Sequence, residues 1–191
     1  IIGNPPYVEY SKVRDEYTIT GYKTESCRNL YAFVSERALN LLKDNGSFGF
    51  ILPISLVCTQ RMMDLQEKLS CSSRSVWLSN FAERPSKLFV GAEVLLTIAL
   101  ARLGRNFDCQ LFTTGFTKWT SSEREILFDC ITFCPVEAKV KPYVIPKLSA
   151  VFESDIIKKI NHNKGQLGLQ FVAKSKYPVF YRIGGGRYWK I

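Results

Sequence analysis

The sequence predicts an α/β fold with parallel strands, and three observations carry that expectation. Ile1-Ile2-Gly3 reads as the end of a buried strand opening into a tight loop. Leu30, Phe33, Val34, Ala38, Leu41 and Leu42 recur at three- and four-residue spacing, the period of an amphipathic helix. Ser47-Phe48-Gly49-Phe50-Ile51-Leu52-Pro53 is short and nearly all apolar, as a strand buried on both faces is. Strand, loop, helix and strand in that order make the repeat of a parallel α/β sheet.

The first strand runs into Asn4-Pro5-Pro6-Tyr7. Two consecutive prolines fix φ twice and remove two backbone donors. The first also biases Asn4 toward extended geometry. The product is a stiff loop that still displays carbonyls, with an amide on one side and an aromatic ring on the other. Such a set suits a flat ring carrying an exocyclic NH2. The Asn4 side-chain oxygen and the Pro5 carbonyl can each accept one amino hydrogen, while Tyr7 lies against the ring face. A plain surface turn after a strand is the competing reading.

Residues 8–25 are polar and show no period, so they read as a loop beside the tetrad. The helix is expected over Ser26–Lys43 and ends at Asn45-Gly46. Residues 54–59 read as a second loop, and Gln60–Leu69 as a helix with Met62, Met63, Leu65 and Leu69 inward. Ser75–Phe81 is expected as a strand and 82–91 as irregular. Val94–Leu103 and Asp108–Phe116 read as strands that pair as a hairpin and finish the sheet. Ser121-Ser122-Glu123 is expected to cap a short helix to Cys130. Pro135, Pro142 and Pro146 then punctuate a connector, and a helix is expected over Ser154–Asn161. The domain division is thus 1–135, a connector with a short helix over 136–165, and a new unit from 166 to 191. In that last unit Arg182, Arg187, Tyr188 and Lys190 are candidate DNA contacts, because aromatics interleaved with cations suit stacking and phosphate contact. A β-hairpin with a glycine turn explains the same stretch.

A chain of 191 residues with net charge +9 can bury a core and favours a polyanionic partner, nucleic acid first. No apolar run approaches the ~20 residues of a membrane span. The six cysteines form no CxxC pair, and with a single histidine they do not suggest a metal centre. They read as reduced thiols of a cytoplasmic protein. The chain opens without Met inside a core strand, so it reads as a piece of a larger polypeptide.

The tetrad resembles the catalytic motif of S-adenosylmethionine-dependent amino-methyltransferases, above all the DNA adenine-N6 methyltransferases. Asn29-Leu30-Tyr31-Ala32-Phe33, Ala38-Leu39, Asn45-Gly46 and Gly49-Phe50-Ile51-Leu52-Pro53 resemble the helix and strand after the catalytic loop in type IIG (type IIS) restriction-modification methylases. Phe81-Ala82-Glu83-Arg84-Pro85 and Lys87-Leu88-Phe89-Val90-Gly91 resemble a later motif of that family, where an aromatic packs against the extruded adenine. By position this sequence supplies Phe89, for which a core aromatic is the competing reading.

The resemblance implies the C-terminal half of a Rossmann-like methyltransferase sheet, followed by the start of a target-recognition domain. It implies a catalytic role for Asn4, Pro5, Pro6 and Tyr7, and base stacking by Tyr7 and Phe89. It implies S-adenosylmethionine as cofactor, with most of its pocket outside this chain, since no glycine-rich strand-to-helix turn occurs here. The implied partners are double-stranded DNA with a flipped adenine and the rest of a parent polypeptide. A glutamine-N5 or RNA amino-methyltransferase and a non-catalytic methylase-like DNA-binding module are the alternatives.

Overall fold

The computed structural model describes residues 1–16, 18–89, 94–104, 108–137 and 142–162, together with the backbone of 180–183 and 187–190. The strands are β1 (Ile2–Gly3), β2 (Ser47–Pro53), β3 (Ser73–Phe81), β4 (Leu96–Leu103), β5 (Gln110–Thr117), β6 (Cys134–Pro135), β7 (Phe180–Ile183) and β8 (Arg187–Lys190). The helices are α1 (Leu30–Leu41), α2 (Ser55–Cys58), α3 (Met63–Ser72) and α4 (Phe152–His162). Short 3-10 turns occupy Tyr10–Lys12, Lys23–Cys27, Gln60–Met62 and Ser121–Glu123.

β1 to β6 form one sheet in the order β1-β2-β4-β3-β5-β6. β1 pairs with β2 in parallel, and β3 with β5 in parallel. β4 lies between β2 and β3 and is antiparallel to both. Four strands, β1, β2, β3 and β5, therefore point the same way, with β4 reversed in their midst. This corrects the expected hairpin. β4 does not pair with β5; it fills the slot between β2 and β3 along its whole length, from Leu96 beside Pro53 and Phe81 to Arg102 beside Ser47. Hydrophobic alternation cannot tell these arrangements apart, because a strand paired on both sides reads the same whichever neighbours it takes.

The α1 periodicity is right, but the helix begins at Leu30, with Asn29 as N-cap accepting from the Tyr31 amide. Its buried face holds Tyr31, Ala32, Ser35, Glu36, Ala38 and Leu39, while Val34 and Leu41 are exposed. In α3 the inward residues are Leu65, Gln66 and Leu69, and Met63 faces out. Residues 54–59 contain the one-turn α2, and the expected helix after Ser121 is a 3-10 turn followed by turns.

The main core joins α1 and α3 to the sheet through Tyr31, Leu39, Phe48, Leu52, Leu65, Val76 and Ala99, and Ile145 packs into it. Gln66 Nε2 donates to the Leu56 and Tyr143 carbonyls, which ties the stretch around Ile145 to α2 and α3. A smaller core of Phe81, Trp119 and Leu127 lies at the β3–β5 side and takes Leu88 against it. β7 and β8 form a separate antiparallel pair, with Ile183 opposite Arg187. The side chains of Arg182, Arg187, Tyr188 and Lys190 lie outside the described residues. Among the described residues no helix is long and apolar enough to cross a membrane.

Candidate active site

In an open α/β sheet, the carboxyl ends of the aligned strands are where loops converge on ligands. Here Pro53, Phe81 and Thr117 end β2, β3 and β5 in one row, since Leu96 lies opposite both Pro53 and Phe81, and Phe81 opposite Thr117. β1 ends at Gly3 opposite Phe50, and the tetrad continues from it toward the same edge. The segment bearing Phe89 leaves the same edge from β3.

Within the tetrad, Pro5 is buried, Asn4 and Pro6 are exposed, and Tyr7 is half-buried. The Tyr7 hydroxyl donates to Asn4 Oδ1 at 2.6 Å and also stands 2.9 Å from the Ile51 carbonyl oxygen of β2. Its ring meets the Tyr31 ring edge-on, with centroids 6.3 Å apart. Burial pushes the Tyr7 hydroxyl up to about 12. Among the described residues no donor is hydrogen-bonded to the Pro5 carbonyl. The loop thus sets an exposed carboxamide, and a carbonyl with no described donor on buried Pro5, beside an aromatic ring held in place by β2 and α1.

Two sets of contacts that the sequence reading did not foresee hold this loop. Tyr31 is buried, and its hydroxyl contacts Ser55 Oγ at 2.8 Å and Met62 Sδ at 2.9 Å. Burial raises its hydroxyl to about 12 as well. The second set is the closure of residues 8–30. The Tyr10 amide donates to the Arg28 carbonyl and the Leu30 amide to the Val8 carbonyl, each at 2.9 Å. Glu9 forms a two-pronged pair with Arg61, at 3.1 and 2.6 Å. Inside the loop, buried Glu36 of α1 accepts from Lys23 N, Thr24 N and Thr24 Oγ1 at 3.2, 2.9 and 2.9 Å. The signal for Glu36 was present: a carboxyl residue three positions after Phe33 lies on the apolar face of a helix, where it must be satisfied.

An open cleft of about 680 Å³ lies on the outer side of this loop, lined by Glu9, Tyr10, Arg14, Arg28, Phe33 and Arg61 among others. Its charges are mostly matched within the loop. Glu9 holds Arg61, and Glu25, also in the wall, accepts from the Gly21 and Tyr22 amides.

Phe89 is 37% exposed and does not belong to either core. The residues before it are anchored toward β5. The Ala82 amide donates to the Thr117 carbonyl, the Ser86 amide to the Trp119 carbonyl, and Arg124 Nη2 to the Leu88 carbonyl. The sheet therefore brings Asn4, Pro5 and Tyr7 together. It places Phe89 on the same edge, leaving from a strand three positions away across the sheet. Among the described residues no group of histidine, cysteine and carboxylate side chains could hold a metal ion, and none of the six cysteines is in a disulfide.

The family model described as Eco57I restriction-modification methylase matches residues 1–89. That span runs from β1 through the tetrad to Phe89 and covers just under half of the chain. No curated protein matches the chain. Solved structures share its fold, two among them with DNA. One is the DrdV-DNA complex, at TM-score 0.55 and 15% identity over 74% of this chain and 18% of that one. The other is a nuclease-deletion mutant of the Type ISP restriction-modification enzyme LlaGI with a DNA substrate mimic, at TM-score 0.54 and 17% identity over 75% of this chain and 17% of that one. The chain thus spans less than a fifth of either structure, and its first 89 residues are similar to restriction-modification methylases.

Proposed function

We propose that this chain is the amine-accepting half of a DNA adenine-N6 methyltransferase domain in a restriction-modification enzyme of the type IIG kind. The observation that carries the reading is the tetrad itself. The exposed Asn4 carboxamide, whose Oδ1 meets the Tyr7 hydroxyl, and the Pro5 carbonyl, to which no described donor is bonded, stand next to a fixed aromatic ring at the carboxyl edge of the sheet. The methylase match over residues 1–89 supports it, as do the DNA-bound structures that share the fold and the net charge of +9.

An adenine amino group is a poor nucleophile, because its lone pair is delocalised into the ring. Asn4 Oδ1 and the Pro5 carbonyl would each accept one amino hydrogen. Those two bonds favour a tetrahedral nitrogen and localise the lone pair. The contribution is positioning and electrostatics, with no covalent intermediate. Adenine reaches such a loop only when flipped from the duplex, and Tyr7 and Phe89 would offset the lost stacking at roughly 1–3 kcal/mol per contact. The co-substrate, S-adenosylmethionine, would supply an electrophilic sulfonium methyl. The residues present fit the acceptor side of that reaction, and none of them is assigned to the donor. The pair β7 and β8, with Arg182, Arg187, Tyr188 and Lys190, is proposed as the start of a target-recognition unit that grips DNA.

The test uses the intact protein. It is incubated with plasmid DNA and methyl-labelled S-adenosylmethionine, and the DNA is digested to nucleosides. Label in N6-methyladenine that falls at least about a hundredfold with Asn4→Ala supports the reading, the size expected for losing a preorganised hydrogen-bonding group. Unlabelled DNA beside label on a protein glutamine would refute it.

A further inference from the structure

Two oxygens face the Tyr7 hydroxyl, Asn4 Oδ1 at 2.6 Å and the Ile51 carbonyl oxygen at 2.9 Å. The hydroxyl has one hydrogen to give. The Ile51 carbonyl belongs to β2, which pairs with β4 along its length, Ile51 opposite Ile98, so it is fixed in place and can only accept. The Asn4 carboxamide is exposed, and a half-turn about its terminal bond exchanges Oδ1 for Nδ2. After that half-turn every contact has a hydrogen. Tyr7 Oη donates to the Ile51 carbonyl, Asn4 Nδ2 donates to Tyr7 Oη, and Oδ1 turns outward with both lone pairs open. An N–H···O bond is longer than 2.6 Å by about 0.3 Å, a shift an exposed side chain makes freely.

We propose that this rotated arrangement is the substrate-receiving state, and that the Tyr7 hydroxyl is a positioning group selecting which end of the Asn4 carboxamide meets the incoming amine. The proposal deepens the methyltransferase reading above and rests on it. It separates two roles within one side chain: the ring of Tyr7 covers the face of the base, and its hydroxyl sets the polarity of Asn4. The ligand that this polarity admits is a planar ring with an exocyclic NH2, which donates to Oδ1. A ring carbonyl at the same place would meet an oxygen and be refused. A phenol keeps its proton at neutral pH, so the Tyr7 hydroxyl can accept from Nδ2 and donate to Ile51 at the same time.

Two substitutions isolate the hydroxyl. Tyr7→Phe keeps the ring. Asn4→Asp replaces an amide that must be oriented with a carboxylate whose two ends are equivalent. In the intact protein with plasmid DNA and labelled methyl donor, Tyr7→Phe alone is expected to lower kcat roughly tenfold with KM for DNA unchanged, the loss of one hydrogen bond's orienting effect. In the Asn4→Asp background the same change is expected to alter kcat by less than about twofold, since no orientation remains to be selected. Equal losses in both backgrounds, or none with Asn4 present, overturn the proposal. A second readout needs no turnover. The side-chain amide signals of Asn4, identified in a nitrogen-15 spectrum by their disappearance in Asn4→Asp, should shift and exchange faster with water in Tyr7→Phe. Signals unmoved by Tyr7→Phe refute the pairing of Nδ2 with Tyr7. If the wild-type protein methylates no DNA, the functional reading fails, while the amide signals still decide whether Tyr7 orients Asn4.

Discussion

Replacing Glu36 with alanine should loosen the loop that flanks the tetrad. Glu36 is 3% exposed and accepts three hydrogen bonds from Lys23 and Thr24, and Thr24 is 0% exposed. Truncation leaves the Thr24 amide with neither acceptor nor water, which costs about 1–3 kcal/mol. The Lys23 amide is nearer solvent and adds about 1 kcal/mol at most. The Thr24 hydroxyl can rotate to another acceptor and is not counted. With the packing lost from a buried side chain, the total is about 3–4 kcal/mol. At this chain size that lowers Tm by roughly 6–16 °C. Glu36→Gln keeps one acceptor but turns an NH2 toward a donor, so it should fall between, at about 1–2 kcal/mol. The assay is urea unfolding followed by circular dichroism, with amide hydrogen exchange at Thr24 as the local readout. A change under about 0.5 kcal/mol for Glu36→Ala, the scatter of surface substitutions, would refute the reasoning.

Asn80 gives a second stability test: it is fully buried, donates to Thr113 Oγ1 and the Thr114 carbonyl, and accepts from Thr97 Oγ1, so it links β3 to both neighbours. Asn80→Ala should cost about 2–4 kcal/mol in chemical denaturation, and Thr97→Val about 1 kcal/mol. Burial raises the Tyr7 and Tyr31 hydroxyls to about 12, so an absorbance titration should show their ionisation near pH 12, and Tyr31→Phe should remove part of it. Because both hydroxyls sit above their unfolded value of 10.0, their contribution to stability is fully present below pH 10 and is lost as pH rises through about 12. Phe89→Ala should leave the melting temperature within about 2 °C, since the ring is 37% exposed and outside both cores, yet lower kcat/KM on plasmid DNA by about 5- to 150-fold if it stacks on the base.

The sequence disclosed those parts of the fold that leave a local mark. β2 is a continuous apolar run because it is paired on both sides and covered on both faces, and its bounds in the structure, Ser47–Pro53, are those expected. α1 shows its period, although Glu36 and Ser35 share the buried face with the apolar residues and Val34 does not. The placement of β4 was not legible. Its neighbours β2 and β3 are fixed by register across dozens of residues, and nothing inside Leu96–Leu103 records them. The tetrad was legible as a stiff, acceptor-bearing loop from its two prolines. Its supports were not, because a main-chain carbonyl such as that of Ile51 has no sequence signature.

The reversed strand β4 decides how the two halves of the proposed base clamp relate. With β2 and β4 between β1 and β3, three strand spacings separate the end of the tetrad strand from the start of the Phe89 segment, roughly 14 Å. Two rings that sandwich a base need to stand only about 7 Å apart. β3 and β4 are adjacent, so a connection of two to five residues would join them. The chain uses 82–95 instead, far more than closure needs. The first part of that surplus is tied toward β5, through Ala82, Ser86 and Leu88. Phe89 is the first aromatic beyond those ties. Phe89 thus stands just past its anchors on the β5 side, three strand positions from the strand that leads into Tyr7, and the proposed clamp requires its ring to reach across that spacing.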